Sequence, residues 1–414
     1  FIVPLLHKAT LLFLVVNCDY SMIFSSRFFD IPIFDYDTER SKFIANLDML
    51  KAMPVEEQTL YKKWQELNFN DYRTRRKADR FESLRRNIWT PSDIYNETKT
   101  IEEVEELDPV VELTDDIEKW TLYRMLISSM DWAQGPGRSM KFFVKDSNTN
   151  KLLGIISLAS DVTNITVRDK YIGWTEKNKY DDARLNNTAI ASTLVAVQPL
   201  GHLLLGTKLI AALVTATSTR NAWKAKYGDI LVGVTTTSLY GIHSVYNGIP
   251  HWKTLGVSAG KVGIRPDDDT YKIWHDWIKI NYPDEYKKTV EGKEGVAGPA
   301  TGVKQKILNL IYKKLDIRAS DYEHGYKRGV YFSNFYENGL EFLAGKITEN
   351  DLIMKQKFVE DYEYVLAWWK RKAIRRYKKL LLENRIKPDI LFYADVVGMS
   401  WFECRKIYLK EVGR

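Results

Sequence analysis

Four adjacent hydroxyl side chains, Thr235, Thr236, Thr237 and Ser238, are followed closely by Tyr240, His243, Tyr246, His251 and Trp252, the densest concentration of reactive and stacking residues in the chain. Because histidine as a residue type titrates near neutral pH, His243 or His251 is a candidate for a general base acting on an amine or nucleobase nitrogen. Tyr246 and Ser238 are the accompanying catalytic candidates. Thr237, Tyr240 and Trp252 are candidates for holding a substrate, the two aromatic rings by stacking on a base. Gly241, Gly248, Gly256 and Gly260 leave room for a close backbone approach. The alternative is a turn-rich β region whose aromatics fill a core.

These residues need a scaffold, and the sequence around them reads as α/β. Ile230–Val234 is apolar and β-branched, the pattern of a buried strand, and α/β proteins place function in the loops at strand ends. Upstream, Lys141–Val144 and Leu152–Leu158 pair as a hairpin about the polar turn Asp146–Asn150. Asp169–Trp174 is expected to be a loop, with Asp169, Trp174 and Arg184 contacting a base edge and a phosphate. Equally, Asp169 could only cap a turn and Arg184 only form a surface ion pair. Ile190–Val197 is a strand that stops at Gln198–Pro199. Leu194–Leu213 is apolar enough to suggest a membrane helix, but Pro199, Gly201, His202, Gly206 and Lys208 predict strand, tight turn and buried helix instead.

Composition narrows the function classes. The 414 residues are 45% hydrophobic and 28% charged, an ordinary globular balance, and 13% aromatic. Cys18 and Cys404 define no disulfide framework and no zinc spacing, and the six histidines form no ligand set, so no metal is expected and a reducing cytoplasm is. The net charge is +7, yet Lys370–Lys387 carries nine basic residues against the single acid Glu383. Tyr362, Leu366, Trp369, Ala373, Tyr377 and Leu380 give that segment one apolar helical face. Lys370, Arg371, Arg375, Arg376 and Lys379 on the remainder are candidates for neutralising DNA phosphates. Membranes or acidic protein surfaces are the other partners of basic amphipathic helices. The acidic Glu102–Glu118 reads as a surface linker or the electrostatic partner of a basic segment. Asp389–Arg414 reads as a small helix-turn-helix with Gly398 at its turn. Ser41–Asn96 reads as helix, and the bases of Asp71–Arg86 as a solvated face.

The wording TTTSLYG, then S-x-Y-N, then WK-x-LG-x-S-x-GK resembles the Druantia antiphage protein A family. Arg168–Trp174 (RDKYIGW), Leu194–Leu213, Tyr326–Phe332 (YKRGVYF), Asn338 and Glu341–Leu343 fit the same resemblance, in order over about Leu153–Leu343. It implies a phage–host conflict context and assigns no catalytic residue. A second, distant resemblance is to the GCN5-related acetyltransferases. There the backbone amides of a Q/R-x-x-G-x-G/A turn at a helix N-terminus hold the pyrophosphate of acyl-CoA. That resemblance implies a cofactor site at Gln198, Gly201, His202, Gly206 and Thr207. Leu203 departs from the last position of the pattern, and a register on His202 and Gly206 needs a one-residue deletion. Trp252–Gly256 resembles the Y-x-x-L-G turn of that fold, with Trp252 in the place of the tyrosine that protonates the departing thiolate.

The expected organisation is therefore an acetyltransferase-like open-sheet α/β core over residues 140–266. A helical region with an acidic linker (22–139) precedes it, and a helical extension (267–360) and a basic helical region (361–414) follow. The first Met is Met22, and residues 1–21 read as an upstream-frame extension. The expected function is a nucleic-acid-associated, cytoplasmic protein of a bacterial host whose core modifies a nucleobase with acyl-CoA. The alternative is a non-catalytic DNA-binding component acting with a helicase or nuclease, without a membrane.

Overall fold

The computed structural model describes residues 34–68, 81–130, 137–239, 241–242, 244–258, 262–291, 303–324, 327–356, 361–386 and 396–411. Residues 1–21, Tyr240, His243, Gly260 and most of the basic run within Asp71–Arg86 lie outside them. The chain forms two compact units, Phe1–Ile44 and Ala45–Arg414, and the sheet belongs to the second.

Nine strands are present among the described residues: β1 (Pro109–Thr114), β2 (Ser139–Asp146), β3 (Leu152–Ser160), β4 (Thr188–Ala196), β5 (Gly233–Ser238), β6 (Lys253–Val257), β7 (Val262–Gly263), β8 (Glu323–His324) and β9 (Gly329–Asn334). Helices α1 (Tyr36–Ala52), α2 (Val55–Asn68), α3 (Phe81–Arg85), α4 (Glu97–Glu106) and α5 (Ile117–Ile127) precede or interrupt the first strands. Helix α6 (Thr166–Ile172) follows β3. Helices α7 (Leu200–Leu203), α8 (Gly206–Leu213) and α9 (Thr217–Tyr227) cross from β4 to β5. Next come α10 (Asp268–Asn281), α11 (Pro283–Glu291), α12 (Val303–Lys314), α13 (Gly339–Leu343), α14 (Asp361–Leu382) and α15 (Trp401–Glu411).

The fold is mixed α/β. One seven-stranded sheet runs β1-β2-β3-β4-β5-β9-β6. Every neighbouring pair is antiparallel except β4–β5, which is parallel and needs the three-helix crossover. The β2–β3 hairpin forms where expected. Its turn is closed by the Asp146 carboxylate, which accepts from the Thr149 amide at 3.0 Å and its hydroxyl at 2.6 Å, while Asn150 adopts φ 55°. Short polar residues tolerate that left-handed conformation. The apolar runs of β2, β3 and β4 are buried because helices cover both faces.

Registers define the faces. Ala159, Ile190, Thr235 and Phe332 stand in one row across β3, β4, β5 and β9. Lys141 and Ser157 stand in a second row, two residues back along β3 and so on the same face. That face carries α5, whose Trp120 ring lies 4.6 Å from Lys141 Nζ, and α6, whose Tyr171 meets Phe332 edge-on. The opposite face carries α8, where Ile210 approaches so closely that a Cβ on Gly154 would stand 2.5 Å from its Cδ1.

Three expectations are corrected. Asp169–Trp174 is not a loop: Asp169 to Ile172 close helix α6, because Arg168 and Ile172 bury on one side and Gly173 at φ 81° ends it. Glu102–Glu118 is not a linker: it comprises the end of α4 and the edge strand β1, whose Glu112 pairs with Lys145 at 2.6 Å on the solvent side. Edge strands tolerate such charge. Ser41–Asn96 is not continuous helix, since α1, α2 and α3 are separate and 86–96 is irregular. The sheet also takes β1 and β9 from outside 140–266. Among the described residues no helix is long and apolar enough to cross a membrane.

Candidate functional site

The parallel pair β4–β5 joins only at Thr188–Gly233, Ala189–Val234 and Ile190–Thr235. One step further the Thr236 hydroxyl still reaches the Ala191 carbonyl at 3.1 Å, and beyond it the strands part. Ser192–Ala196 on one side and Thr237–Ser238 on the other thus border an opening in the middle of the sheet. The hydroxyl run expected to follow a strand is the strand β5 itself. Threonine is a good strand former, and here its hydroxyls find partners within the sheet, Thr235 on the Asp161 carboxylate at 2.8 Å and Thr236 on β4. Thr237 is half-buried, and Ser238 is buried opposite Gly329.

At the far end of β4 the Gln198 side chain folds over the turn, its carbonyl accepting from the His202 amide at 3.0 Å. A Cβ on Gly201 would stand 2.8 Å from Gln198 Nε2. Gly206 opens α8, where a Cβ would crowd Leu200 and Ala196, and Thr207 is half-buried beside it. Three cations converge on this turn. Lys208 donates to the Asn247 carbonyl at 2.5 Å, and its amine is held below the usual lysine range by burial and by Lys372. Arg376 donates to the His202 carbonyl at 2.9 Å, and burial, then Arg385, hold its pKa below the usual guanidinium range. Among the described residues Lys208, Lys372 and Arg376 form no ion pair. A basic cluster without a carboxylate at a helix N-terminus is suited to an anion.

Tyr246 lies on the β5 side of the opening. Its ring meets Tyr331 edge-on at 5.4 Å, its hydroxyl bonds with Thr236, and burial pushes it up to about 12. The phenol therefore stays protonated at neutral pH. Trp252 is pinned through its indole N–H to the Ala211 carbonyl of α8 at 2.8 Å. His251 adopts φ 70° and its ring lies 6.1 Å from Tyr364 of α14. The structure therefore brings Tyr246 and Trp252 to β5 and α8, while Tyr240 and His243 lie outside the described residues.

Asp169, Trp174 and Arg184 sit in a different setting. Arg168, fully buried, pairs with Asp161 at 2.7 Å and with Asp169 at 2.6 Å, and Lys179 reaches Asp169 at 2.6 Å. Arg168 and Lys179 both lie over the Trp174 ring, whose N–H donates to the Leu343 carbonyl at 2.8 Å. Two cations and two carboxylates cancel, so the RDKYIGW block is a neutral polar clamp holding α6 to the sheet. Arg184 packs its guanidinium 4.0 Å from the centre of Phe342.

The basic helix α14 packs by Val365, Trp369, Ala373, Tyr377 and Leu380. The Tyr362 side chain lies outside those described, and Leu366 is half-buried. Trp369 donates to the Leu204 carbonyl at 2.9 Å, docking α14 on the α7–α8 turn. The acidic helix α4 lies on it too: Lys370 donates to the Glu105 carbonyl and Lys378 pairs with Glu97 at 3.2 Å. Arg371 and Arg375 remain exposed, and Lys379 is 3.6 Å from Glu383 and largely exposed. Helix α15 packs on α2, with Trp401 against Tyr61 and Trp64, and buried Cys404 has its thiol pushed up to about 11 by desolvation. Among the described residues no group of side chains is arranged to hold a metal.

Sequence reasoning missed a polar row on the α5 side of the opening. Lys141 Nζ donates to Ser157 Oγ at 2.7 Å, and Ser192 Oγ donates to Ser157 Oγ at 3.2 Å. The visible signal was a lysine inside the apolar Met140–Val144 and a serine inside Leu153–Leu158. Burial, then Arg124, push the Lys141 amine down to about 8. Unfolded, it titrates near 10.4, so between these values the unfolded chain binds more protons and stability rises with pH. Urea midpoints at pH 7.5 and 9.5 should show this rise, and Lys141→Met should remove the part due to this amine.

The fold and the opening define a mixed α/β protein with a splayed central strand pair bordered by a basic turn. The family described as Druantia protein DruA matches residues 62–345, more than half of the chain, and the chain belongs to that family. A curated relative, Druantia protein DruA of Escherichia coli (strain UMEA 4076-1), is 28% identical over 270 residues, 60% of this chain. The match covers 64% of the relative's length. No solved structure matches.

Proposed function

We propose that this protein acts in antiphage defence in the bacterial cytoplasm through an acyltransferase-like core that modifies a nucleobase. The observation that carries the reading is the parting of β4 from β5 beside a turn where Lys208, Lys372 and Arg376 gather without a carboxylate. The order of strands, antiparallel to β4, parallel at β5 and antiparallel beyond, supports the acetyltransferase-like reading. The residues fit the phosphates of acyl-CoA: Lys208, Lys372 and Arg376 would hold them with the amides at Gly206 and Thr207. The cofactor would supply an activated acyl carbon. Tyr246, protonated at neutral pH, serves as the acid of the site, and His251 or His243 as the base for the acceptor nitrogen. Thr237 and Trp252 border the acceptor's place.

Titration calorimetry with acyl-CoA tests the cofactor, and nucleoside masses of DNA from expressing cells test the product. Lys208→Met combined with Lys372→Met should weaken binding on the order of 100-fold or more, since charge-assisted contacts contribute about 1.5–3 kcal/mol each. A new nucleoside mass should vanish with Tyr246→Phe. No acyl-CoA binding together with unchanged nucleosides overturns the catalytic reading.

A second reading has its own observation, the exposed Arg371, Arg375 and Lys379 on α14. On it the protein is a non-catalytic DNA-binding component that recruits a helicase or nuclease. Retained defence after Tyr246→Phe and Lys208→Met would favour it.

A further inference from the structure

We infer that Ser192 is an acyl-accepting nucleophile whose proton is drawn off through Ser157 to Lys141. Pairing of β3 with β4 passes from Ser157–Thr193 to Leu158–Ala191, so Ser192 is the extra residue of a β-bulge. Bulges re-aim side chains and occur next to active sites. This one stands just past Ile190–Thr235, the last pair that joins β4 to β5, and Ser192 is exposed while its neighbours Ala191 and Thr193 are buried. Behind it the chain of groups is continuous: Ser192 Oγ to Ser157 Oγ at 3.2 Å, and Ser157 Oγ to Lys141 Nζ at 2.7 Å. Ser157 is fully buried and Lys141 nearly so. The Thr193 hydroxyl, facing Ser157 across the strands, is buried with no hydrogen-bond partner among the described residues, so the row has polar capacity to spare.

A serine hydroxyl attacks a carbonyl only if a base takes its proton as the bond forms. Neutral Lys141 is that base, and the desolvation that favours its neutral form also keeps water from competing for the relay. In the step, the Ser192 Oγ–carbon bond forms and the bond from that carbon to the leaving group breaks. The Ser192 proton passes to Ser157, whose own proton passes to Lys141 Nζ. The Lys141 ammonium gives a proton back to Ser157, whose own proton passes directly to the departing thiolate or alkoxide, because the acylated Ser192 Oγ no longer carries one. Ser192 touches the substrate, while Ser157 and Lys141 act through it as positioning residues that carry its proton. A purely structural alternative is that Ser192 only ties down the bulge, since its hydroxyl also lies 3.4 Å from the Ser157 carbonyl.

The inference deepens the acyl-transfer reading and rests on it for the donor class alone, so its test omits the cofactor. The full chain is treated with p-nitrophenyl acetate, and acetylation is mapped by peptide mass while p-nitrophenolate release is timed. Ser192 should be acetylated, at a rate that rises with pH and levels off above about 8. Ser157→Ala should slow that rate on the order of 100-fold and flatten its pH dependence, the share a positioned base supplies. Lys141→Met should do the same, with circular dichroism confirming that each variant folds. An unmodified Ser192 in the folded wild type overturns the relay, as does a rate indifferent to pH and to Ser157→Ala. Acetylated Ser192 without acyl-CoA binding upholds the relay and removes the cofactor reading. Acyl-CoA binding with Ser192 unmodified does the reverse.

Discussion

Asp161→Ala lowers the unfolding free energy by about 3 kcal/mol, measured by urea denaturation at neutral pH. The reason is the partner left behind. Arg168 and Asp161 are both fully buried and 2.7 Å apart, and the second Asp161 oxygen accepts from the Thr235 hydroxyl of β5. Removing the carboxylate strands one face of a buried guanidinium and the threonine together, although Arg168 keeps Asp169, the Val162 carbonyl at 2.8 Å and the Trp174 face. The retained partners place the loss at the lower end of the range for broken buried pairs. Replacing both ends, as Asp161→Leu with Arg168→Met, removes the charges in pairs and should recover most of it. A loss below about 1 kcal/mol for the single change would mean that water reaches Arg168, as at a surface pair. Because Asp161 ties the end of β3 to β5 beside the opening, the same variant should weaken any ligand held there.

Much of this architecture was legible, and the parts that were not share a physical cause. The β2–β3 hairpin, β4 and the strand–turn–helix after it follow from apolar runs punctuated by Asp146–Asn150 and Gln198–Pro199, because local turn chemistry fixes where such runs stop. The neighbours of β5 are long-range facts: β9 arrives from almost a hundred residues downstream and inserts between β5 and β6. Asp169 and Trp174 were legible as special residues but not as a clamp, since their partners Asp161, Lys179 and the Leu343 carbonyl are joined only by folding. Trp252 reads as a free stacking face until its N–H is seen on Ala211. The Lys141 row left a signal in the sequence but could not be assembled, for the same long-range reason. A lysine or serine in an apolar strand looks like a tolerated exception, and only the cross-strand register of β2, β3 and β4 makes three such exceptions neighbours. The stripe on α14 was legible because a 3.6-residue period needs no partner to be seen, whereas its seat on the α7–α8 turn did.

Arg371→Ala, Arg375→Ala and Lys379→Ala combined should weaken DNA binding and reduce the slope of log affinity against log salt by about 2–3, since each phosphate contact contributes about 0.9. At moderate salt the loss should be on the order of tenfold or more, equally for unrelated sequences, because phosphate contacts carry no sequence information. Among the described residues Arg371 and Arg375 form no ion pair, and Lys379 has only the solvent-exposed contact with Glu383 at 3.6 Å. Lys370 is spent on the Glu105 carbonyl, Lys378 on Glu97 and Arg376 on the His202 carbonyl, so one helix divides its charge between α4, the basic turn and solvent. Arg376→Met should therefore change the DNA slope little and impair acyl-CoA binding, while the triple variant does the opposite. Filter binding across a salt series, beside calorimetry on the same proteins, resolves the two. If Arg376→Met lowered the DNA slope as much as the triple variant, α14 would be a single phosphate-binding surface and the turn beneath it would lose its claim to a separate anion.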